Sequence, residues 1–143
     1  MIESFKIDHT KLIAPYLRLA GVYVKHETIV KKYDIRFITP NTTYIDDKTM
    51  HSLEHLLATA FKKIFQDDMI DLSPMGCKTG FYFTVFNTTD IETKIETAIR
   101  KASTVRIPKP TKENCGSYLL HNIEGARVFL ERIADEIDNS RSD

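Results

Sequence analysis

Apolar positions recur along the chain first at strand spacing and then at helical spacing. Leu17 to Val24 is a β-rich run, and Tyr33, Ile35 and Phe37 alternate with Asp34, Arg36 and Ile38. A period of two predicts paired strands turning near His26 to Thr28, within a first forty residues that read as extended. Pro40-Asn41 closes the second strand, because proline has no amide to donate and restrains the residue before it. From about Asp47 to Phe65 the period lengthens, and Leu53, Leu57, Ala60 and Ile64 line one helical stripe behind an aspartate suited to a helix start. His51 and His55 project from nearly the opposite side of that helix.

Two more β segments are predicted at about Met69 to Leu72 and at Phe81 to Phe86, the second fully buried because aromatics occupy both of its faces. Thr89-Asp90-Ile91-Glu92 is a capping-box pattern, opening a helix carried by Ile91, Ile95, Ala98, Ile99 and Ala102. Pro108-Lys109-Pro110 forces an extended connector, and a last helix from about Asn122 to Ile137 shows Ala126, Leu130, Ile133 and Ile137 at helical spacing. The order β-β-α-β-β-α-α, with hairpins in place of crossover units, predicts an α+β two-layer sandwich: a mostly antiparallel sheet with helices packed on one face. No repeat, low-complexity tract or linker divides the sequence, so residues 1–143 are expected to form a single domain.

Composition narrows the partners. Twenty Lys plus Arg balance twenty Asp plus Glu, for a formal net charge of +0. An overall nucleic-acid or membrane-surface binder leans on excess positive charge, so neither partner is expected. No apolar run approaches the roughly 20 residues that cross a bilayer. Two cysteines, Cys77 and Cys115, are too few to staple a secreted scaffold, and no charged-then-apolar leader opens the chain, so the reducing cytoplasm is the expected compartment. For the same reason Asn41-Thr42-Thr43 and Asn87-Thr88-Thr89, which fit the glycosylation pattern, read as turns.

The chemistry-bearing signal is His51-Ser52-Leu53-Glu54-His55. Histidines four apart on a helix stand one turn above each other and can reach one metal ion, with Glu54 beside it as a proton carrier; this is the inverted zinc-hydrolase pattern H-x-x-E-H. The plainer reading is a pair of surface histidines on a solvated face. A metal would need at least one more ligand, and Cys115, His121, Glu124 and Glu131 are the downstream candidates. Cys115 follows the proline connector, where Gly116 allows close backbone approach; taken alone it also reads as a small buried hydrophobe. Cys77, between Gly76 and Lys78 in a turn-rich segment, is placed to be accessible and to serve as a thiolate base, or else is an inert loop thiol.

Taken together these segments resemble one family along almost the whole chain, the S-ribosylhomocysteine lyases or LuxS family. The resemblance runs through Glu3-Ser4-Phe5, Asp8-His9-Thr10, Ala14-Pro15-Tyr16, Tyr33-Asp34-Ile35-Arg36-Phe37 and Pro40-Asn41. It continues through His51-Ser-Leu-Glu54-His55-Leu-Leu-Ala, Asp71-Leu-Ser-Pro-Met-Gly-Cys77-Lys-Thr-Gly-Phe-Tyr82, Cys115-Gly116 and Glu124-Gly125-Ala126. It implies that His51, His55 and Cys115 hold one Fe2+ per subunit, replaceable by Zn2+ or Co2+, and that Cys77 and Glu54 are the acid/base pair. It also implies that Ser4, His9, Arg36 and Asp71 line the substrate site, Ser4 and His9 reaching across from the neighbouring subunit of a homodimer whose active sites lie at the interface.

The implied reaction cleaves S-ribosylhomocysteine into homocysteine and 4,5-dihydroxy-2,3-pentanedione, the autoinducer-2 precursor, by carbonyl migration and β-elimination. That would place the chain in the activated methyl cycle and, indirectly, in quorum sensing. The chain departs from the family at Thr39, where glutamine is common, at Lys62, where arginine is frequent, and at Leu119-Leu120, which replaces a more polar pair. None of these touches the implied metal ligands or proton carriers. Two other readings use the same histidines: a small H-x-x-E-H metallopeptidase with Glu124 or Glu131 as third ligand, and a non-catalytic metal-binding module.

Overall fold

The structure, a computed structural model, describes residues 14–141; Ser4 and His9 lie outside the described residues. Strands β1 (Tyr16–Lys25), β2 (Thr28–Arg36), β3 (Met69–Pro74) and β4 (Gly80–Phe86) form an antiparallel sheet in the order β1-β2-β4-β3. Helices α1 (Asp47–Phe65), α2 (Ile91–Ala102) and α3 (Ile123–Arg141) complete the expected α+β order. The predicted hairpin turn is present, with Lys25 paired to Thr28 across His26, which takes a left-handed φ of 55°.

The core lies between the sheet and the helices. Alternate strand residues supply one side, Tyr33 and Ile35 from β2 and Phe81, Phe83 and Val85 from β4. Leu53, Leu56, Leu57, Ala60 and Phe61 of α1, Ile95 and Ala98 of α2, and Leu130 and Ile133 of α3 supply the other. Phe61 meets Phe83 edge-on at 4.8 Å, the geometry that the ring quadrupoles favour. The predicted α1 stripe is buried except at Ile64, which packs at the margin of the core.

Two expectations are corrected. Strand β4 is not buried on both faces: Phe81, Phe83 and Val85 are buried, whereas Tyr82 and Thr84 are half-buried and Phe86 is exposed. Helices cover only one face of this sheet, and the aromatics on the other face obscure the alternation; the Tyr82 ring there carries the Lys32 ammonium at 4.1 Å. Helix α2 begins where expected, but without the predicted capping box. Its cap residue is Asp90 in a left-handed conformation, with no side-chain cap bond. Side-chain capping calls for an extended cap residue, so here the Asp90 carbonyl, accepting from Lys94 N–H at 3.0 Å, makes the start.

Helix α1 does carry a side-chain cap. Asp46 is extended, and its carboxylate accepts from Thr49 N–H at 2.9 Å and from the Thr49 hydroxyl at 2.8 Å. Those two bonds hold the Asp46 pKa below its ordinary value. At the start of β4, Gly80 pairs with Arg36, and a Cβ on it would run into the Ile35 carbonyl and come within 2.9 Å of Arg36 Cα.

We expect Gly80→Ala to cost about 1–3 kcal/mol by forcing β2 and β4 apart, measurable as a shift of the denaturation midpoint. Asp46→Ala should cost about 1 kcal/mol at neutral pH. Because the folded-state pKa of Asp46 is depressed, its contribution is present above the unfolded-state value and lost as pH falls through the folded one. Urea melts of wild type and variant should therefore converge in acid.

Candidate metal centre and active site

One turn of α1 sets His51 and His55 with their Nε2 atoms 3.3 Å apart. The segment between α2 and α3 contains neither helix nor strand, and its turns are built by local polar bonds. Thr111 N–H donates to Asn114 Oδ1 at 2.7 Å, Asn114 Nδ2 donates to the Lys109 carbonyl at 3.1 Å, and Cys115 N–H donates to the Thr111 carbonyl at 3.0 Å. The prolines at 108 and 110 lie in this connector, where no helix or strand forms.

The same segment docks on the polar side of α1. His51 Nδ1 lies 2.6 Å from the Leu120 carbonyl. A carbonyl can only accept, so the proton sits on Nδ1 and the lone pair is left on Nε2, on the side of His55 and Cys115. Asn122 N–H donates to Ser52 Oγ at 2.9 Å, and Ser52 Oγ is 2.9 Å from His121 Nδ1. Asn122 also caps α3, its Oδ1 accepting from Gly125 N–H at 2.9 Å; a Cβ on residue 125 would strike that Asn122 side chain. Ser52 thereby joins α1 to the last residues before α3.

These anchors gather four donors. Cys115 Sγ lies 3.4 Å from His51 Nε2, 3.9 Å from His55 Nε2 and 3.5 Å from His121 Nε2. The donor atoms of all four residues fall within 4.8 Å of one another. Bond lengths to a tetrahedral zinc-sized ion imply separations of about 3.3 Å between two nitrogens and about 3.6 Å between nitrogen and sulfur. The observed spacing fits a metal ion, and the donor types suit iron, zinc and cobalt alike. Desolvation, then the charge of His51, lowers the His55 pKa against an opposing pull from Glu54; desolvation, then His51 and His55, lowers that of His121. Both shifts favour neutral imidazole, the form that binds metal.

The structure thus brings together His51, His55 and Cys115 and adds His121. Glu124 and Glu131, the other donors considered from sequence, are exposed on α3 and are not in the cluster. Glu54 is half-buried beside His55.

Cys77 and Arg36 meet elsewhere, lining a cavity of ≈ 840 Å³ with Tyr44, Thr79 and Tyr82. Cys77 is exposed, and its sulfur lies 3.0 Å from the Thr79 hydroxyl. The ammonium of Lys78, the next residue, forms an ion pair with Asp47. Arg36 is the cation of the cavity. It is buried, and its Nε and Nη2 donate to the two oxygens of Asp34 at 3.1 and 2.8 Å. Burial alone would lower the Arg36 pKa, but the Asp34 hydrogen bonds and charge more than offset this, with Tyr16 and Cys77 adding to the rise. Arg18 reaches the same carboxylate at 3.1 Å, and Arg36 Nη1 has no hydrogen-bond partner among the described residues. Asp71 stands exposed on edge strand β3 and is not among the residues lining this cavity.

Two supporting residues escaped sequence reasoning. Asp34 could have been found, since residues two apart on a strand share a face and an acid there implies a partner for Arg36. Ser52 could not, because a serine inside a helix has no spacing that marks it as an anchor.

Sequence comparison agrees with this geometry. The family model described as S-ribosylhomocysteinase (LuxS) matches residues 2–143. A protein of Clostridium perfringens (strain SM101 / Type A) named S-ribosylhomocysteine lyase is 44% identical, covering 99% of this chain and 95% of its own length. Proteins of the same name from Exiguobacterium sibiricum and Listeria monocytogenes serotype 4b are 40% and 37% identical, covering 92% and 96% of this chain and 88% and 91% of their own. A match of this extent includes the helix that carries His51 and His55, the connector that carries Cys115 and the turn that carries Cys77, and the chain belongs to the S-ribosylhomocysteinase (LuxS) family.

Proposed function

We propose that this protein is an S-ribosylhomocysteine lyase, a carbon-sulfur lyase that releases homocysteine and leaves 4,5-dihydroxy-2,3-pentanedione. The observation that carries the reading is the convergence of His51, His55 and Cys115 at metal-ligand spacing within a chain matched to the family over residues 2–143. The metallopeptidase alternative loses support from the exposure of Glu124 and Glu131, its third-ligand candidates.

The substrate dictates what the site must do. A thioether on a saturated carbon is a poor leaving group until the neighbouring carbon can become a carbanion next to a carbonyl. The sugar must open, its carbonyl must move along the chain by two enolisations, and elimination then expels the thiol. Each enolisation takes a proton from one carbon and returns one to its neighbour, so no oxidant is needed. A ferrous ion held by His51, His55 and Cys115, replaceable by zinc or cobalt, would supply Lewis-acid stabilisation of the negative charge that develops on the sugar oxygens.

The protein's own groups do the rest. Cys77, exposed on its turn, takes and returns the carbon protons as a thiolate, and the Thr79 hydroxyl at 3.0 Å can donate to that sulfur. Glu54 carries the protons of oxygen atoms and assists elimination. Arg36, locked by Asp34 with Nη1 unspent, offers a fixed cationic donor to the substrate's polar end. Ser4, His9 and Asp71 are assigned to the same substrate site by family resemblance.

Within one chain, none of the four clustered donors lines the cavity that holds Cys77 and Arg36. A homodimer with active sites at the interface would unite the two halves. Exposed Leu19, Val22, Tyr23 and Val24 of edge strand β1, with Phe86 of β4 and Ile70 of β3 at the opposite edge of the sheet, offer apolar surface for such a contact. No helix among the described residues is long and apolar enough to cross a membrane, and we assign the enzyme to the cytoplasm.

A thiol-reactive dye following release of homocysteine from S-ribosylhomocysteine by anaerobically iron-loaded protein tests the activity. Cys77→Ala should lose more than about 99% of the rate while retaining its metal, in line with removal of a general base. Cys115→Ala should weaken the hold on the metal, leaving only the imidazoles of His51, His55 and His121 to bind it; full activity in Cys77→Ala would overturn the acid/base assignment. Sedimentation should show an active dimer, and an active monomer would rule out the shared site.

A further inference from the structure

The sulfur of Cys77 has a single hydrogen-bond partner among the described residues, and that partner is neutral. Thr79 Oγ1 lies 3.0 Å from it, and this hydroxyl has no other partner among the described residues. The two side chains differ in surroundings: Cys77 is exposed, whereas Thr79 is buried at 3% exposure. On an extended strand, side chains two residues apart stand about 7 Å from each other. Here Lys78, between them, takes a left-handed φ of 59°, and the bend brings hydroxyl and sulfur into contact.

The bend is tied down on both sides. Met75 N–H donates to the Gly80 carbonyl and Lys78 N–H to the Met75 carbonyl, each at 2.9 Å. The Thr79 carbonyl accepts from Phe37 N–H at 2.9 Å and from Ile38 N–H at 3.0 Å, and the Lys78 carbonyl accepts from Ile45 N–H at 2.9 Å. Thr79 is thus a fixed point from which a hydroxyl reaches an otherwise solvated sulfur.

A base that takes a proton from carbon and gives it back alternates between thiolate and thiol. A thiolate only accepts hydrogen bonds, whereas a thiol has a proton to donate. An ammonium or a guanidinium, such as that of Arg36 in the same cavity, can serve the first state alone, because it has no lone pair to offer. A hydroxyl serves both, with one proton and two lone pairs. Resting on the lyase reading above, we infer that Thr79 is a positioning residue that holds the Cys77 sulfur in one place through both halves of the proton transfer. Its hydroxyl donates to the thiolate. As the sulfur takes the carbon-bound proton and the electron pair of that C–H bond passes into the enediolate, the hydroxyl turns and accepts from the new S–H. The opposite turn accompanies return of the proton to the neighbouring carbon. Water can do the same for an exposed sulfur in an empty cavity; once substrate fills the space around Cys77, the role falls to the buried hydroxyl.

Steady-state release of homocysteine by the iron-loaded protein separates this role from a structural one. Thr79→Val keeps the shape and removes the hydroxyl; it should lower kcat about ten- to a hundredfold, the worth of a hydrogen bond to a charged group, and leave KM within about twofold. Thr79→Ser should keep at least about a third of the wild-type kcat, because it restores both donor and acceptor. Iodoacetamide alkylation, with peptide mapping to separate Cys77 from Cys115, reads the sulfur without turnover. In the open cavity, where water can replace the hydroxyl, Thr79→Val should slow alkylation of Cys77 by no more than about threefold. Unchanged kcat in Thr79→Val, or Thr79→Ser as slow as Thr79→Val, would overturn the inference and leave the lyase reading standing. So would a loss of alkylation as large as the loss of kcat, which would mean that the variant displaces the sulfur. If Thr79→Val fails to fold, Thr79→Ala against Thr79→Ser gives the same contrast. Wild type that alkylates at Cys77 but releases no homocysteine would end the lyase reading and this role with it.

Discussion

The docking of an irregular connector onto the polar side of α1 is the constraint on which the metal centre depends. Helix α1 faces the core with leucines and phenylalanines and presents histidines on the other side, so it would bear two half-solvated imidazoles if nothing lay over them. Three anchors lay the connector there: His51 to the Leu120 carbonyl, Asn122 N–H to Ser52, and Asn122 N–H to the Lys48 carbonyl at 3.2 Å. All of them use hydrogen-bonding groups at one end of the connector, while the Thr111–Asn114 turn shapes the other end and delivers the sulfur. The loop therefore needs no secondary structure to be positioned.

The same anchors tie ligand position to protonation. Leu120 fixes the His51 tautomer while it places the loop, so the hydrogen bond that brings Cys115 close also turns a lone pair toward it. Burial beneath the loop then lowers the pKa of His55 and His121, keeping them neutral where a charged imidazole would repel a cation. Arg36 shows the opposite strategy. Its charge is retained in a buried setting because Asp34 satisfies two of its donor atoms, at the cost of burying a carboxylate as well. One region of the fold is organised to keep groups neutral and the other to keep a group charged.

Much of the fold was legible because local rules and the tertiary outcome agree. The α1 stripe, the β1–β2 hairpin and the Pro108-Lys109-Pro110 connector each followed from periodicity or backbone chemistry alone. Two mistakes have different causes: the sequence pattern shows neither which face of a strand is covered nor the backbone conformation at a helix start. Phe81 to Phe86 read as doubly buried because aromatic rings on an open sheet face look like core, and the α2 start read as side-chain capped because the backbone at Asp90 was not visible. In the site, the histidine pair had a spacing signature, and Cys115 gained weight only through family resemblance. The pairing of Lys78 with Asp47 instead of with the thiol of Cys77 depends on how the 75–80 turn meets the start of α1, which no local pattern reports.

His121 shows why that gap matters for function. Sequence spacing offered four downstream donors with nothing to rank them, since reach across a proline-rich connector depends on where the connector lies. Once Ser52 and Leu120 fix its path, Cys115 and His121 point inward together, and the acids at 124 and 131, already on α3, stay in solvent. The selection is made by hydrogen bonds to residues that carry no chemistry of their own. A serine in the middle of a helix and one backbone carbonyl decide which side chains join the cluster. Substitutions at such positions would scatter the donors while each of them remained in the sequence.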